Sequence, residues 1–155
     1  MQSPLIAQYL DGAKSLRQLA QGMTREQQRA RPIAGRWSTL EVVCHVADMD
    51  AVFAERMKRV LAENEPTFFD ADPDQFAAAL AYHDRDLDEE LNLIDAMRRQ
   101  MGHILATHPV GALTRWGTHS TAGRRTLEQL LTSVTRHLVH HVEFIQEKRQ
   151  ALGLT

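Results

Sequence analysis

Apolar residues recur along this chain at the three- and four-residue spacing of helices that bury one face. From about Pro4 to Met23 the stripe is Leu5, Ile6, Tyr9, Leu10, Ala13, Leu16, Ala20 and Met23. Thr24 with Gln27 is a capping-box pair, so a short helical turn is expected to begin there. Arg31-Pro32 and Gly35 then break it. Ser38 with Glu41 is a second capping box, and Trp37 before it can close a hydrophobic staple on Val42. The helix opened at Ser38 carries Val42, His45, Met49, Val52 and Arg56 on one face. The adjacent face carries Leu40, Val43, Ala47, Ala51 and Ala54.

Asn64 to Ala71, which contains Pro66, reads as a connection. Asp72-Pro73-Asp74-Gln75 then supplies an N-cap acid, a proline at the first helical position and a glutamine at the capping-box position. From Phe76 the stripe is Leu80, His83, Leu87, Leu91, Ile94, Met101 and Leu105. It fits either one helix to about Thr107 or two with a break near Asp84, ended by Pro109 and Gly111. Val110 to Arg125 has no period and is expected to be a long loop over one end. Thr126 with Gln129 caps the last helix, whose stripe is Leu127, Leu130, Val134, His137, His141 and Ile145, with Gly153 as the stop. No segment shows a convincing strand period. Four long helices in 155 residues predict an all-α four-helix bundle, one domain over residues 1–155. The longer links leave open whether the order is simply up and down.

Composition changes this picture little. Apolar residues are 43% and charged residues 25%, the balance of an ordinary globular domain. A net charge of −2 argues against a nucleic-acid binder that works by neutralising phosphates. A lone cysteine, Cys44, excludes an intramolecular disulfide and fits a reducing, cytoplasmic location. The opening MQSPLIAQYLDGAK lacks the basic lead and apolar run of a signal peptide, and no run is apolar enough to cross a bilayer. Histidine, with 8 copies, is the compositional oddity.

Three of those histidines lie where apolar residues belong. His137 and His141 are four apart, so their imidazoles project from one helix face. His45 sits on the stripe of another helix. Leaving a buried imidazole nitrogen unpaired costs about 1–3 kcal/mol, and a metal ion satisfies several at once. Bundle axes lie about 8–10 Å apart, so the three rings can converge on one point. Three histidines and an open position are a catalytic zinc pattern, although nickel, iron or manganese also accept imidazole. A divalent cation would lower the pKa of water there towards 7. The alternative for each histidine is a hydrogen-bonded core residue.

The remaining candidates are weaker. Asp48, three residues after His45, is placed to orient it. His83 could be a fourth ligand, with a core or bundle-end role as its alternative. His119 could cover the site or face solvent. His140 is about 100° around the helix from His141 and is expected at the surface. His103 falls off its stripe, and His108 sits at a helix end. Cys44 is rotated away from His45, as a small core residue would be. The acidic run DRDLDEEL reads as a solvated helix face. No histidine follows a glutamate by three, which excludes the di-iron carboxylate pattern. There is no HExxH, phosphate loop or GxSxG.

The segments RWSTLEVVCHVADMD and GRRTLEQLLTSVTRHLVHHVEFIQEKR resemble the two signature stretches of the DinB/YfiT-like superfamily. The first carries its Trp-Ser-x-x-Glu-x-x-x-His pattern, the second its Thr-Leu start and His-x-x-x-His. The resemblance implies a four-helix bundle of up-down-down-up order, often dimeric, with a metal held by His45, His137 and His141. It implies zinc or nickel as that metal. It also implies thiol chemistry, because relatives include bacillithiol S-transferases and a mycothiol-dependent maleylpyruvate isomerase, while others are described as hydrolases. Three functions follow as expectations. The first is a metal-dependent S-transferase acting on a small-molecule substrate with a low-molecular-weight thiol, whose carboxylates could meet Arg115, Arg124 or Arg125, with Trp116 as a pocket wall or loop anchor. The second is a metal-dependent hydrolase. The third is a non-enzymatic helical homodimer that responds to stress.

Overall fold

The computed structural model describes residues 3–154. In chain order it runs through α1 (Pro4–Ala20), α2 (Arg25–Arg29), α3 (Thr39–Ala62), β1 (Thr67–Phe68) and α4 (Pro73–Ala79). Then come α5 (Leu87–Thr107), a 3₁₀ turn (Val110–Thr114), β2 (Trp116–His119), β3 (Gly123–Thr126) and α6 (Leu127–Ala151). The four long helices form the expected bundle. α1 and α3 each pack against both α5 and α6, so consecutive long helices are not always neighbours.

Local sequence fixes the helix starts. Three of the four capping-box patterns form in full, at Thr24 with Gln27, Ser38 with Glu41, and Thr126 with Gln129; at Asp72 the carboxylate caps the Asp74 and Gln75 amides, but the Gln75 side chain meets that carboxylate and not the backbone. The Ser38 box is reinforced from outside the helix. Glu41 is buried, accepts from the Ser38 amide at 2.7 Å, and pairs with Arg31 of the preceding linker. Burial pushes the Glu41 carboxyl up, but the Arg31 and Ser38 hydrogen bonds outweigh it and hold the group below its usual value. The start of α3 is thereby pinned, and nearly every residue from Thr39 to Asp50 is buried. A helix buried all round has no solvated face to rotate towards, which sets the aim of His45.

One expectation is corrected and one open choice is settled. Val110 to Arg125 is not a structureless loop, and the chain does contain strands. β2 and β3 form an antiparallel hairpin, and β1 joins β2 in parallel, pairing Thr67 with Thr118 and Phe68 with His119. Strands of two to four residues are too short to establish a period in sequence. Their packing still demands a particular residue: a Cβ on Gly117 would lie 2.5 Å from the Phe68 ring and 2.7 Å from the Pro66 carbonyl. The stripe after Phe76, which fitted one helix or two, forms two, α4 and α5, as the second alternative had it. The helix breaks between Ala79 and Leu87, with Ala81 at a left-handed φ of 51°. His83 therefore lies on no helical stripe; it is exposed in the turn, where Arg29 Nε donates to its Nε2 at 3.2 Å.

One ion pair sits at full depth. Arg98 of α5 donates from Nε and Nη2 to the two Asp50 carboxylate oxygens of α3, at 2.5 and 2.8 Å. Its remaining donors reach the Tyr9 carbonyl of α1 at 2.7 Å and the Val134 carbonyl of α6 at 3.4 Å. A single guanidinium thus touches all four long helices.

Candidate metal centre

His45 projects from α3 and His137 and His141 from α6, all into one space. His137 Nε2 is 2.9 Å from His45 Nε2 and 3.1 Å from His141 Nε2. The three ring centroids lie 4.5 to 4.8 Å apart, with the rings edge to face. His45 and His141 are buried and His137 is half-buried. Burial lowers all three pKa values, to about 4 for His45, about 4 for His137 and about 3 for His141, and mutual repulsion adds to the effect at His137 and His141. The rings are accordingly neutral near pH 7, and each keeps a lone pair.

That arrangement does not satisfy itself. His137 Nε2 faces two nitrogens, yet as a neutral imidazole it carries either one proton or one lone pair there. At most one of the two contacts can be a well-formed hydrogen bond. The Nδ1 atoms of all three rings are also buried and find no hydrogen-bond partner among the described residues. Three converging acceptor nitrogens are a donor set for a cation. In a tetrahedral zinc site with bonds near 2.05 Å, ligand nitrogens sit about 3.3 Å apart. The observed separations of 2.9 and 3.1 Å need open by only a few tenths of an ångström.

The low pKa values have a measurable consequence for the metal-free protein. Unfolded imidazoles take up protons near 6.5, whereas the folded ones resist until about 3 to 4. Between those values the unfolded chain binds more protons, so stability is full above about pH 6.5 and falls as the pH drops through that window. Urea unfolding at about pH 7.5 and 5.5 is expected to show the loss. A variant with all three positions changed to glutamine should show much less of it; an equal loss in that variant would place the titration elsewhere.

A cleft of about 310 Å³ opens beside His141. Its walls include Trp37, Val42 and Phe144, and its charged groups are Arg36, Asp74 and Lys148. The Trp37 ring lies 5.0 Å from the His45 ring, and Phe144 lies 5.5 Å from His141. Asp74 comes from the first turn of α4, and its negative charge, like that of Asp48, only partly offsets the burial that keeps the His45 ring neutral. Neither Asp74 nor Lys148 stood out in the sequence as a site residue. Asp74 was legible only as part of a helix start, and Lys148 lies seven residues beyond His141, on the same helix face. The tertiary packing of α4 brings the acid to the cleft.

Several sequence candidates go elsewhere. Asp48 does not bond His45; Arg85 takes both its carboxylate oxygens, at 3.0 and 3.2 Å. Arg115 donates to the Val60 and Glu63 carbonyls, both at 2.8 Å, and so caps the far end of α3. Val60 is fifteen residues beyond His45, or about 22 Å along the helix axis. Arg124 stacks 4.1 Å over Trp116 in the hairpin, so that tryptophan anchors the hairpin instead of walling the cleft. His119 is buried, not solvent-facing, and its Nδ1 accepts from the Thr121 and Ala122 amides of its own turn, both at 3.2 Å. Cys44 is a core residue as expected: its thiol faces the Tyr82 carbonyl at 3.5 Å, and burial pushes its pKa up to about 12. Within DRDLDEEL, Asp86 caps α5 and Glu90 is buried against Arg85, while Asp84 in the turn and Asp88 and Glu89 on the helix are exposed.

Fold and site together define a class, a four-helix bundle with three imidazoles gathered from two of its helices. The chain belongs to the DinB superfamily, whose sequence pattern matches residues 8–145. Among solved structures it is similar to YfiT from Bacillus subtilis, described as a probable metal-dependent hydrolase with an unusual four-helix bundle topology. That match has a TM-score of 0.90 at 24% identity and covers 97% of this chain and 87% of YfiT. A DinB-like protein of Bacillus subtilis, YjoA, matches with a TM-score of 0.67 at 19% identity, covering 99% of this chain and 94% of that one. At these identities the likeness speaks to the fold. No curated protein sequence matches the chain. No helix among the described residues is long and apolar enough to cross a membrane.

Proposed function

We propose that this protein is a divalent-metal-dependent hydrolase of small molecules, with His45, His137 and His141 as the metal ligands. The observation that carries the reading is the convergence of three neutral imidazole nitrogens, which no set of protons can satisfy, at the edge of an open cleft. A bound divalent ion would supply Lewis-acid activation of water or of a polarised substrate group. The description of YfiT as a probable metal-dependent hydrolase supports the same reaction class. Among the described residues Asp74 is the one carboxylate lining the cleft, and none of them donates a hydrogen bond to its side chain. It is free to hold the proton that an attacking water must give up. Trp37 and Phe144 wall the approach, their rings 5.0 Å from His45 and 5.5 Å from His141.

Thiol S-transfer is the second reading. The chain's own thiol is buried and held protonated, so a nucleophilic sulfur would have to arrive on a small molecule. Two of the three arginines expected to anchor such a thiol are engaged elsewhere, Arg115 at the end of α3 and Arg124 on Trp116 of the hairpin, which weakens that reading.

The test is metal analysis of untagged protein, then assay of the zinc- and nickel-loaded forms against ester, amide and electrophilic substrates, with and without added thiols. The hydrolase reading expects about one metal per chain and turnover without thiol, reduced about 10²–10⁴-fold in Asp74→Asn. Turnover only with thiol would transfer the assignment to S-transfer. Failure of the site to hold any divalent metal would remove both.

A further inference from the structure

Lys148 is an anomaly in the wall of the cleft. It is 2% exposed, yet its ammonium has only one acceptor among the described residues, the Phe144 carbonyl at 3.3 Å. It forms no ion pair with any described residue. The neighbouring carboxylate of Glu147 is engaged by Arg36 at 2.9 Å. A buried ammonium is rarely left without a counter-charge, because removing it from water is costly. Arg36, by contrast, is exposed and already partnered.

We propose that Lys148 receives the carboxylate of a flat, apolar small-molecule substrate, which lies between Trp37 and Phe144 with its opposite end towards the three imidazoles. The geometry sets the length of that molecule. Lys148 follows His141 by seven residues, two helical turns, so the residues share a face about 10 Å apart along the axis. A molecule with an aromatic-sized body and one carboxylate spans that gap. The 310 Å³ cleft is large enough to hold it. The cleft also sets the orientation. Asp74 on the α4 side repels a carboxylate, whereas Lys148, with Arg36 at the rim, attracts one. Phe144 has both cations near its ring, with Arg36 at 5.4 Å and Lys148 at 5.6 Å from its centroid, so an apolar body and its anionic group are accommodated side by side.

The proposal takes the cleft as the substrate site, as the hydrolase reading does, but it does not need the metal. It is therefore tested on metal-free and zinc-loaded protein in parallel, by NMR titration with phenylacetate and its neutral analogue 2-phenylethanol. The two indole N–H signals are followed, since Trp37 lines the cleft and Trp116 lies in the hairpin. Phenylacetate is expected to bind about tenfold or more tightly than 2-phenylethanol, the scale of one charge-assisted hydrogen bond, and to shift the Trp37 signal. Lys148→Met keeps the stem's packing and should abolish the preference; Lys148→Arg should keep most of it. Circular dichroism confirms that both variants fold. Equal binding of the two probes, an unchanged preference in Lys148→Met, or shifts confined to Trp116 would each overturn the proposal. Loss of zinc binding with the carboxylate preference intact would sink the metal reading and leave this one standing.

Discussion

Arg98→Ala is expected to destabilise the protein by about 3–5 kcal/mol, the cost of stranding one member of a buried ion pair. Asp50 and Arg98 are 0% and 1% exposed, so water cannot replace the lost partner. Burial already holds the Asp50 carboxyl above its usual pKa, even with the guanidinium beside it. Without Arg98 the acid would have to take up a proton or remain charged in an apolar interior. The Tyr9 carbonyl loses a donor in the same step, and the face of the Tyr9 ring loses the cation 4.5 Å above it. Urea denaturation of wild type and variant measures the difference. The control is the double variant Asp50→Leu with Arg98→Met, which removes both charges and should recover much of the loss. A single variant within about 1 kcal/mol of wild type would show that the pair is dispensable.

His137→Ala is expected to lower zinc affinity more than about 100-fold, beyond the 10–100-fold cost of losing only an outer-shell partner. His137 is the natural target because its Nε2 is the atom close to both other imidazole nitrogens. Affinity is read by competition with a chromophoric chelator, and bound zinc by elemental analysis after gel filtration. His140→Ala is the matched control. It is three residues from His137 on the same helix but exposed, with its ring beside Phe144 and its Nδ1 3.9 Å from Glu143. A zinc content equal in both variants would mean that the metal is bound elsewhere. The same loss should appear in thermal unfolding, because an ion held only by the folded state raises stability by about 2.7 kcal/mol at a hundred times its Kd.

The elements that could be read in the chain are those set by neighbours in sequence. The capping boxes at Thr24, Ser38 and Thr126 need only residues three apart, and all three form. The shared aim of His137 and His141 needs only helical spacing, and the rings do meet. Their convergence with His45 was legible because that residue also lay on an apolar stripe. What stayed hidden depends on partners far along the chain. Asp48 was expected to serve His45, but Arg85, from a turn 37 residues away, claims it. The hairpin pairs polar, exposed segments such as Gly123–Thr126, where no apolar alternation could announce a strand. Asp74 and Lys148 gain meaning only from the cleft that α4 and α6 form together.

His45 and His137 are separated by 92 residues. No local fragment can therefore hold the three rings together, and their meeting waits for the last helix to dock against α3. Contacts between such distant points repay their loop-closure cost only once the chain between them has closed. A chain that has folded its earlier helices offers an ion one imidazole, and the grip of three comes into being only with the finished tertiary structure.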